Sequence, residues 1–101
     1  MVSVVPINIG GFTFIATSVS LPKTTLLTVS NDKGYIMCGA LDVALLNQHL
    51  ADRQIIAGRA LGVRTIDQLL EAPLESITKA AEQLGIEVGM KGKDALLKMI
   101  D

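Results

Sequence analysis

Two glycines, Gly10 and Gly11, stand between two β-rich runs, Val2–Ile9 and Phe12–Leu21. A two-residue connection between strands needs positive φ angles, which glycine adopts without steric cost, so the pair predicts a tight β-hairpin. Asn31-Asp-Lys-Gly34 predicts a second hairpin, joining residues 25–30 to residues 35–38. Pro6 lacks the N–H that a ladder uses, which makes the first strand an edge or breaks it there. Alternation in the first hairpin is poor: Val5, Ile7 and Ile9 share one face, while Val2, Val4, Phe12 and Phe14 use others. Strands apolar on both sides belong in a sheet covered on both faces, and a neighbouring subunit can supply the second cover.

Beyond residue 40 the pattern turns mainly helical. Residues 42–51 place Val43, Leu46 and Leu50 on one stripe, with Asn47, Gln48 and His49 elsewhere. Residues 54–61, Gln-Ile-Ile-Ala-Gly-Arg-Ala-Leu, read as one further strand. Thr65-x-x-Gln68 is a capping box opening a helix over Ile66–Glu71. Pro73 suits the first position of another helix, with Leu74, Ile77, Ala80, Ala81 and Leu84 along one face and Gly85 as its stop. A last helix is expected over residues 93–100. No internal repeat, low-complexity stretch or linker interrupts the pattern. The expected architecture is a single α+β domain over residues 1–101: N-terminal antiparallel β-hairpins form a β-rich oligomerisation region over 1–40, followed over 41–101 by a mainly helical part with one further strand.

Composition narrows the function classes. A chain of 101 residues buries roughly 60–70% of the surface its unfolded form exposes, enough for one modest core. Half of its residues are hydrophobic and only 3% aromatic, more apolar side chain than one small core hides, which argues for association of copies. A net charge of −1 provides no field to draw in nucleic acid. One cysteine allows no internal disulfide and fits a reducing compartment. Residues 1–20 carry no basic leader region, and no apolar run reaches the ~18 residues of a spanning helix. The chain is therefore expected to be cytoplasmic, complete as given, and without a membrane partner.

The candidate chemistry gathers in Gly34-Tyr-Ile-Met-Cys38-Gly-Ala-Leu-Asp42, an apolar strand running into the first turn of a helix. A helix N-terminus carries unpaired N–H groups and about half a positive charge, which can push a thiol toward thiolate. Cys38 is then either a ligand-facing or reactive thiol, with Gly39 opening the backbone to a substrate, or a small core side chain at the end of a strand. Nucleophilic catalysis would also need a base. The single histidine, His49, lies three helical turns away on a polar face, out of reach within one chain. Asp42 is either a helix-start residue or a carboxylate orienting a substrate. Asn47 is either a polar helix residue or a partner for buried backbone.

Arg59 lies inside an apolar, glycine-containing strand, where a permanent charge must find a partner or water. It is either the basic half of a salt bridge with Asp42, Asp52 or Asp67, or a clamp for a small anionic ligand, assisted by Arg53, Arg64, Gly58 and Gly62. One cysteine and one histidine make no zinc cage, and the carboxylates show no ligand spacing, so no metal is expected and no cofactor is indicated. Gly62-Val-Arg-Thr-Ile-Asp-Gln-Leu-Leu and Leu84-Gly-Ile-Glu-Val-Gly-Met-Lys-Gly92 are similar to helix-hairpin-helix modules, which hold DNA backbone. Gly89 and Gly92 are three apart where that family has two, and Lys91, Lys93 and Lys98 are balanced by Glu87, Asp94 and Asp101, which disfavours nucleic acid.

Taken together, Leu21-Pro-Lys-Thr24, the Asn31-to-Val43 segment, Ala57-Gly-Arg-Ala60, Gly62-Val-Arg-Thr-Ile-Asp-Gln-Leu-Leu70 and Leu84-Gly-Ile-x-Val-Gly-Met90 resemble the YunC-like family of unknown function, found in bacteria and archaea. The resemblance spans essentially the whole chain. It implies an α+β domain whose N-terminal β region serves tetramerisation, and it brings no activity, substrate, cofactor or catalytic residue. Two functional classes follow from the residues. One is a small-molecule-binding or enzymatic homo-oligomer with a site at Cys38, Gly39, Asp42, Asn47 and Arg59. The other is a non-catalytic interaction or scaffolding module.

Overall fold

A computed structural model describes residues 2–39 and 55–100 of the chain. Its frame is a six-stranded sheet whose spatial order follows the sequence, β1 to β6. The strands are β1 (Val2–Ile9), β2 (Phe12–Leu21), β3 (Thr24–Ser30), β4 (Gly34–Met37), β5 (Ile56–Arg59) and β6 (Ser76–Ile77). Three short helices follow β5: α1 (Ile66–Glu71), α2 (Lys79–Gln83) and α3 (Gly92–Leu97). The architecture is mixed α+β with sheet predominant. The helix expected over residues 42–51, and with it Asp42, Asn47, His49, Asp52 and Arg53, lies outside the described residues.

The first four strands form an antiparallel meander. Gly10 and Gly11 have φ of 58° and 87°, the positive pair that a two-residue hairpin demands. β1 is the edge strand and continues unbroken through Pro6, which pairs with Ile15. The Asn31–Gly34 turn is held by one side chain. Asn31 Oδ1 accepts from the N–H groups of Lys33 at 2.9 Å and Gly34 at 3.0 Å, while Asn31 Nδ2 donates to the Met99 carbonyl at 3.1 Å. That last bond fastens the turn to the C-terminal end of the chain.

β5 then lies parallel to β4, with Ile36 opposite Gly58 and Met37 opposite Arg59. Parallel strands need a long crossover, and here residues 38–55 connect them. One face of the sheet carries the core. Phe14, Leu27, Val29 and Ile36 pack there with Leu69, Leu74, Ile86, Leu96 and Met99 from the helical segments. Side chains opposite one another in a ladder share a face. Register therefore puts Val2, Val4, Pro6, Ile15, Thr17 and Val19 on the other face.

The helix starts and stops follow local signals. Thr65 Oγ1 accepts from Gln68 N at 3.1 Å, as the capping box predicts, while Gln68 Oε1 reaches back one residue further, to Arg64 N at 2.7 Å. The helix expected from Pro73 begins only at Lys79. Leu74 instead pairs its backbone with Met90 and Gly89, at 2.9 and 2.8 Å, and Glu75 N donates to the Arg59 carbonyl at 2.7 Å. Ser76 and Ile77 complete β6 against β5. α2 does end at Gly85: Gly85 N donates to the Glu82 carbonyl and Ile86 N to the Ala81 carbonyl, the paired bonds of a Schellman stop.

Thr78 joins sheet to helix. Only 2% exposed, it accepts from Ala57 N at 3.1 Å and Ala81 N at 3.3 Å and donates to the Ile55 carbonyl at 2.6 Å. One hydroxyl thereby caps α2 and extends β5. Thr78→Val keeps the shape and strands the buried Ala57 N–H, so it should cost about 2–3 kcal/mol in urea unfolding, with Thr78→Ser recovering most of the loss.

Candidate functional site

The carboxyl ends of β4 and β5, the parallel pair, gather the residues singled out in the sequence. Cys38 follows Met37 at the end of β4, and Arg59 closes β5 opposite Met37. Ala60 N donates to the Met37 carbonyl at 3.0 Å, so the two chain segments are adjacent. Their side chains go opposite ways. Cys38 belongs to the core cluster with Leu27, Val29 and Ile36 on the helix-covered face. Arg59 shares the opposite face with Met37, its cross-strand neighbour. The thiol and the guanidinium do not form one site.

The surroundings of Cys38 are those of a core residue. It is 7% exposed. Its backbone N–H donates to the Leu27 carbonyl at 3.1 Å, and its Sγ accepts from Leu27 N at 3.5 Å and lies 4.0 Å from the Thr25 carbonyl. A thiol so placed extends the β3–β4 ladder by one residue. Gly39 beyond it is exposed, and a Cβ there would come within 3.1 Å of Leu61 Cδ2. Asp42 and Asn47, the other two residues expected at this junction, lie outside the described residues.

Among the described residues the carboxylate that meets Arg59 is Glu75, rather than Asp67. Arg59 donates to Glu75 Oε1 from Nε at 3.0 Å and from Nη2 at 2.6 Å. Ser76 Oγ donates to the same oxygen at 2.7 Å. The Ser76 hydroxyl and, after it, the Arg59 guanidinium hold the Glu75 carboxyl below its ordinary 4.5. This cluster sits where β5 meets β6, and sequence spacing missed it because residues 73–77 read as helix. Gly58, one of the glycines considered for an anion clamp, packs instead against Leu74, whose Cδ1 stands 2.8 Å from where a Cβ would lie. At the far end of the helical layer, Lys93 and Lys91 both approach Glu71, at 2.8 and 3.4 Å, so these lysines neutralise a carboxylate rather than build a basic face.

Among the described residues no three histidine, cysteine or carboxylate side chains converge as metal ligands. No described helix is long and apolar enough to cross a membrane.

Comparison with known proteins places this geometry in a lineage. Residues 37–99 match the family described as "Domain of unknown function (DUF1805)". The chain is 67% identical over 100 residues to the uncharacterised protein YunC of Bacillus subtilis, covering 99% of each. It superposes on the crystal structure of TA1206, a protein of unknown function from Thermoplasma acidophilum, with a TM-score of 0.88 and 30% identity. That match covers 99% of this chain and 94% of the other.

Two expectations follow. Iodoacetamide should leave Cys38 of the folded protein essentially unmodified across pH 6–9, with rapid labelling after denaturation; fast labelling of the native form would show an accessible thiol. The Glu75 carboxyl, followed by carbon NMR, should titrate below 4.5. Because its folded value is depressed, the stabilisation is complete above the unfolded value and disappears as pH falls through the folded one. Ser76→Ala and Arg59→Gln should each move the midpoint upward.

Proposed function

This chain belongs to the DUF1805 family, and on that footing we propose that it works as a self-assembling domain, copies joining through the outer face of the β1–β2 hairpin. The observation that carries the reading is the exposure of that face. Val2 and Val4 are 64% and 61% exposed, and Ile15 and Leu21, on the same face of β2, are 39% and 44% exposed. On the helix-covered face the same strand buries Phe14 and Ala16. A hairpin apolar on both sides but covered on one is short of a partner.

Burial of side chains suits this hairpin better than extension of the sheet. β1 is an edge, yet Pro6 in its middle removes a donor that edge-to-edge pairing would use. Face packing has no such obstacle. A homotetramer is the state that the YunC-like resemblance implies, and two different contacts per subunit, one on each side of the hairpin, would generate it. Val5 and Phe12, 49% and 48% exposed on the helix-bearing side of the hairpin, offer the second patch. The reading places the assembly in the cytoplasm, where a lone thiol stays reduced.

The alternative, an enzyme built on the Cys38 thiol, loses support from the burial of that side chain. Light scattering coupled to gel filtration tests assembly directly. The native chain should run as an oligomer, and Val4→Asp with Ile15→Asp should run as a monomer with unchanged circular dichroism. A native chain that is monomeric at high micromolar concentration, or a double variant that keeps its oligomeric mass, would overturn the proposal.

A further inference from the structure

The β2–β3 turn carries a backbone conformation out of keeping with its sequence. Pro22 and Lys23 connect strands whose end residues, Leu21 and Thr24, pair directly. Lys23 has φ of 65° and is the only non-glycine residue with positive φ among the described residues. A proline followed by positive φ is the pattern of a type II turn, whose second central position normally holds glycine or asparagine. A lysine there forgoes the cheaper residue, and strain kept at one exposed position points to a use for its side chain.

That turn forms one wall of an open cleft of about 500 Å³. The volume lies within the range of small-ligand sites. Lys23, Thr24 and Thr25 line one side and Gly62, Val63 and Arg64 the other. Arg64 arrives there because β5 ends at Arg59 and α1 starts at Ile66, leaving a short loop between. The cleft thus opens beyond the carboxyl ends of the parallel pair β4–β5, the position where open sheets with parallel strands accept ligands. Its Thr25 carbonyl lies 4.0 Å from Cys38 Sγ, so the buried thiol helps support the floor. Among the described residues neither the Lys23 ammonium nor the Arg64 guanidinium meets a carboxylate.

We propose that this cleft binds a small polyanion, a phosphate- or carboxylate-bearing molecule held between Lys23 and Arg64. A guanidinium on one wall and an ammonium on the other fit a ligand with two anionic groups, and the Thr24 and Thr25 hydroxyls add neutral donors. The cation on the arginine side is Arg64; Arg59, the residue that sequence reasoning favoured for an anion, is engaged with Glu75.

The test is titration of the full-length chain with pyrophosphate and with citrate at low ionic strength, following backbone amides by NMR. Saturable shifts should concentrate at Lys23, Thr24, Thr25, Gly62 and Arg64, and sodium chloride at matched ionic strength should not reproduce them. Stronger binding of pyrophosphate would assign a phosphate ligand and stronger binding of citrate a carboxylate; either supports the site. Lys23→Gly removes the charge and relieves the turn, so it should keep or raise Tm while weakening binding about tenfold or more. Arg64→Gln should weaken it similarly with Tm unchanged. Absence of saturable shifts, shifts centred elsewhere, or binding by the two variants as tight as that of the native chain would overturn the proposal. Oligomeric mass, measured on the same samples, reads the assembly separately.

Discussion

Helices of six, five and six residues cannot hold their own shape in water, and every feature of the C-terminal half depends on the sheet that supports them. Isolated helices below about 12–15 residues are marginal even in favourable sequences. Here Leu69 and Leu96 are fully buried against Val29 and Ile36, which are themselves fully buried. Gly92 opens α3 where Ile36 Cδ1 would stand 2.7 Å from any Cβ, so the helix lies as close to β4 as backbone permits. Two side chains then fix the layers. Thr78 makes the start of α2 and the start of β5 one hydrogen-bonded unit. Asn31 binds the β3–β4 turn to the Met99 carbonyl. Removing either leaves a buried or half-buried polar group without its partner, a larger loss than the bond itself.

The sheet separates chemistry as well as supporting packing. Successive residues of a strand point to opposite faces, so neighbours in sequence can have different environments. Met37 and Cys38 are such neighbours. Met37 pairs with Arg59, whose guanidinium reaches Glu75 near the surface, while Cys38 turns into the core. The same alternation in β2 buries Phe14 and Ala16 and leaves Ile15 outside. One geometric rule therefore removes the thiol from solvent and leaves an apolar surface on the hairpin.

Much of this was legible from residues whose signal is local. Gly10-Gly11 and Asn31-Asp-Lys-Gly34 specify their turns by φ and by a side chain that imitates backbone, needing nothing distant. The Thr65 cap and the Gly85 stop are equally local. Residues 73–77 were misread because Leu74, Ile77, Ala81 and Leu84 repeat at a helical interval while their partners are remote in sequence. Leu74 pairs with Met90, and Glu75 with Arg59, contacts that no window of spacing reveals. The Arg59–Glu75–Ser76 cluster was lost with that strand. For Cys38, its place at the end of a strand is legible in the sequence, but strand alternation alone does not say which face is covered. The left-handed backbone of Lys23 is invisible in a Pro-Lys pair, which carries no glycine or asparagine to signal it.

Leu21 connects the two readings of this surface. It ends β2 on the outer face of the hairpin and also lines the Lys23–Arg64 cleft. A copy docked on that face would cover Leu21 and narrow the cleft from the strand side, lowering the local dielectric around both cations. Charges in a drier setting attract an anion more strongly and suffer more when they lack one. In such an oligomer assembly and anion binding would reinforce each other: the ligand would neutralise cations that association brings closer to burial, and association would strengthen the field the ligand experiences. By linkage the effect is reciprocal, so a polyanion that binds the cleft more tightly in the oligomer must favour the oligomer by the same factor.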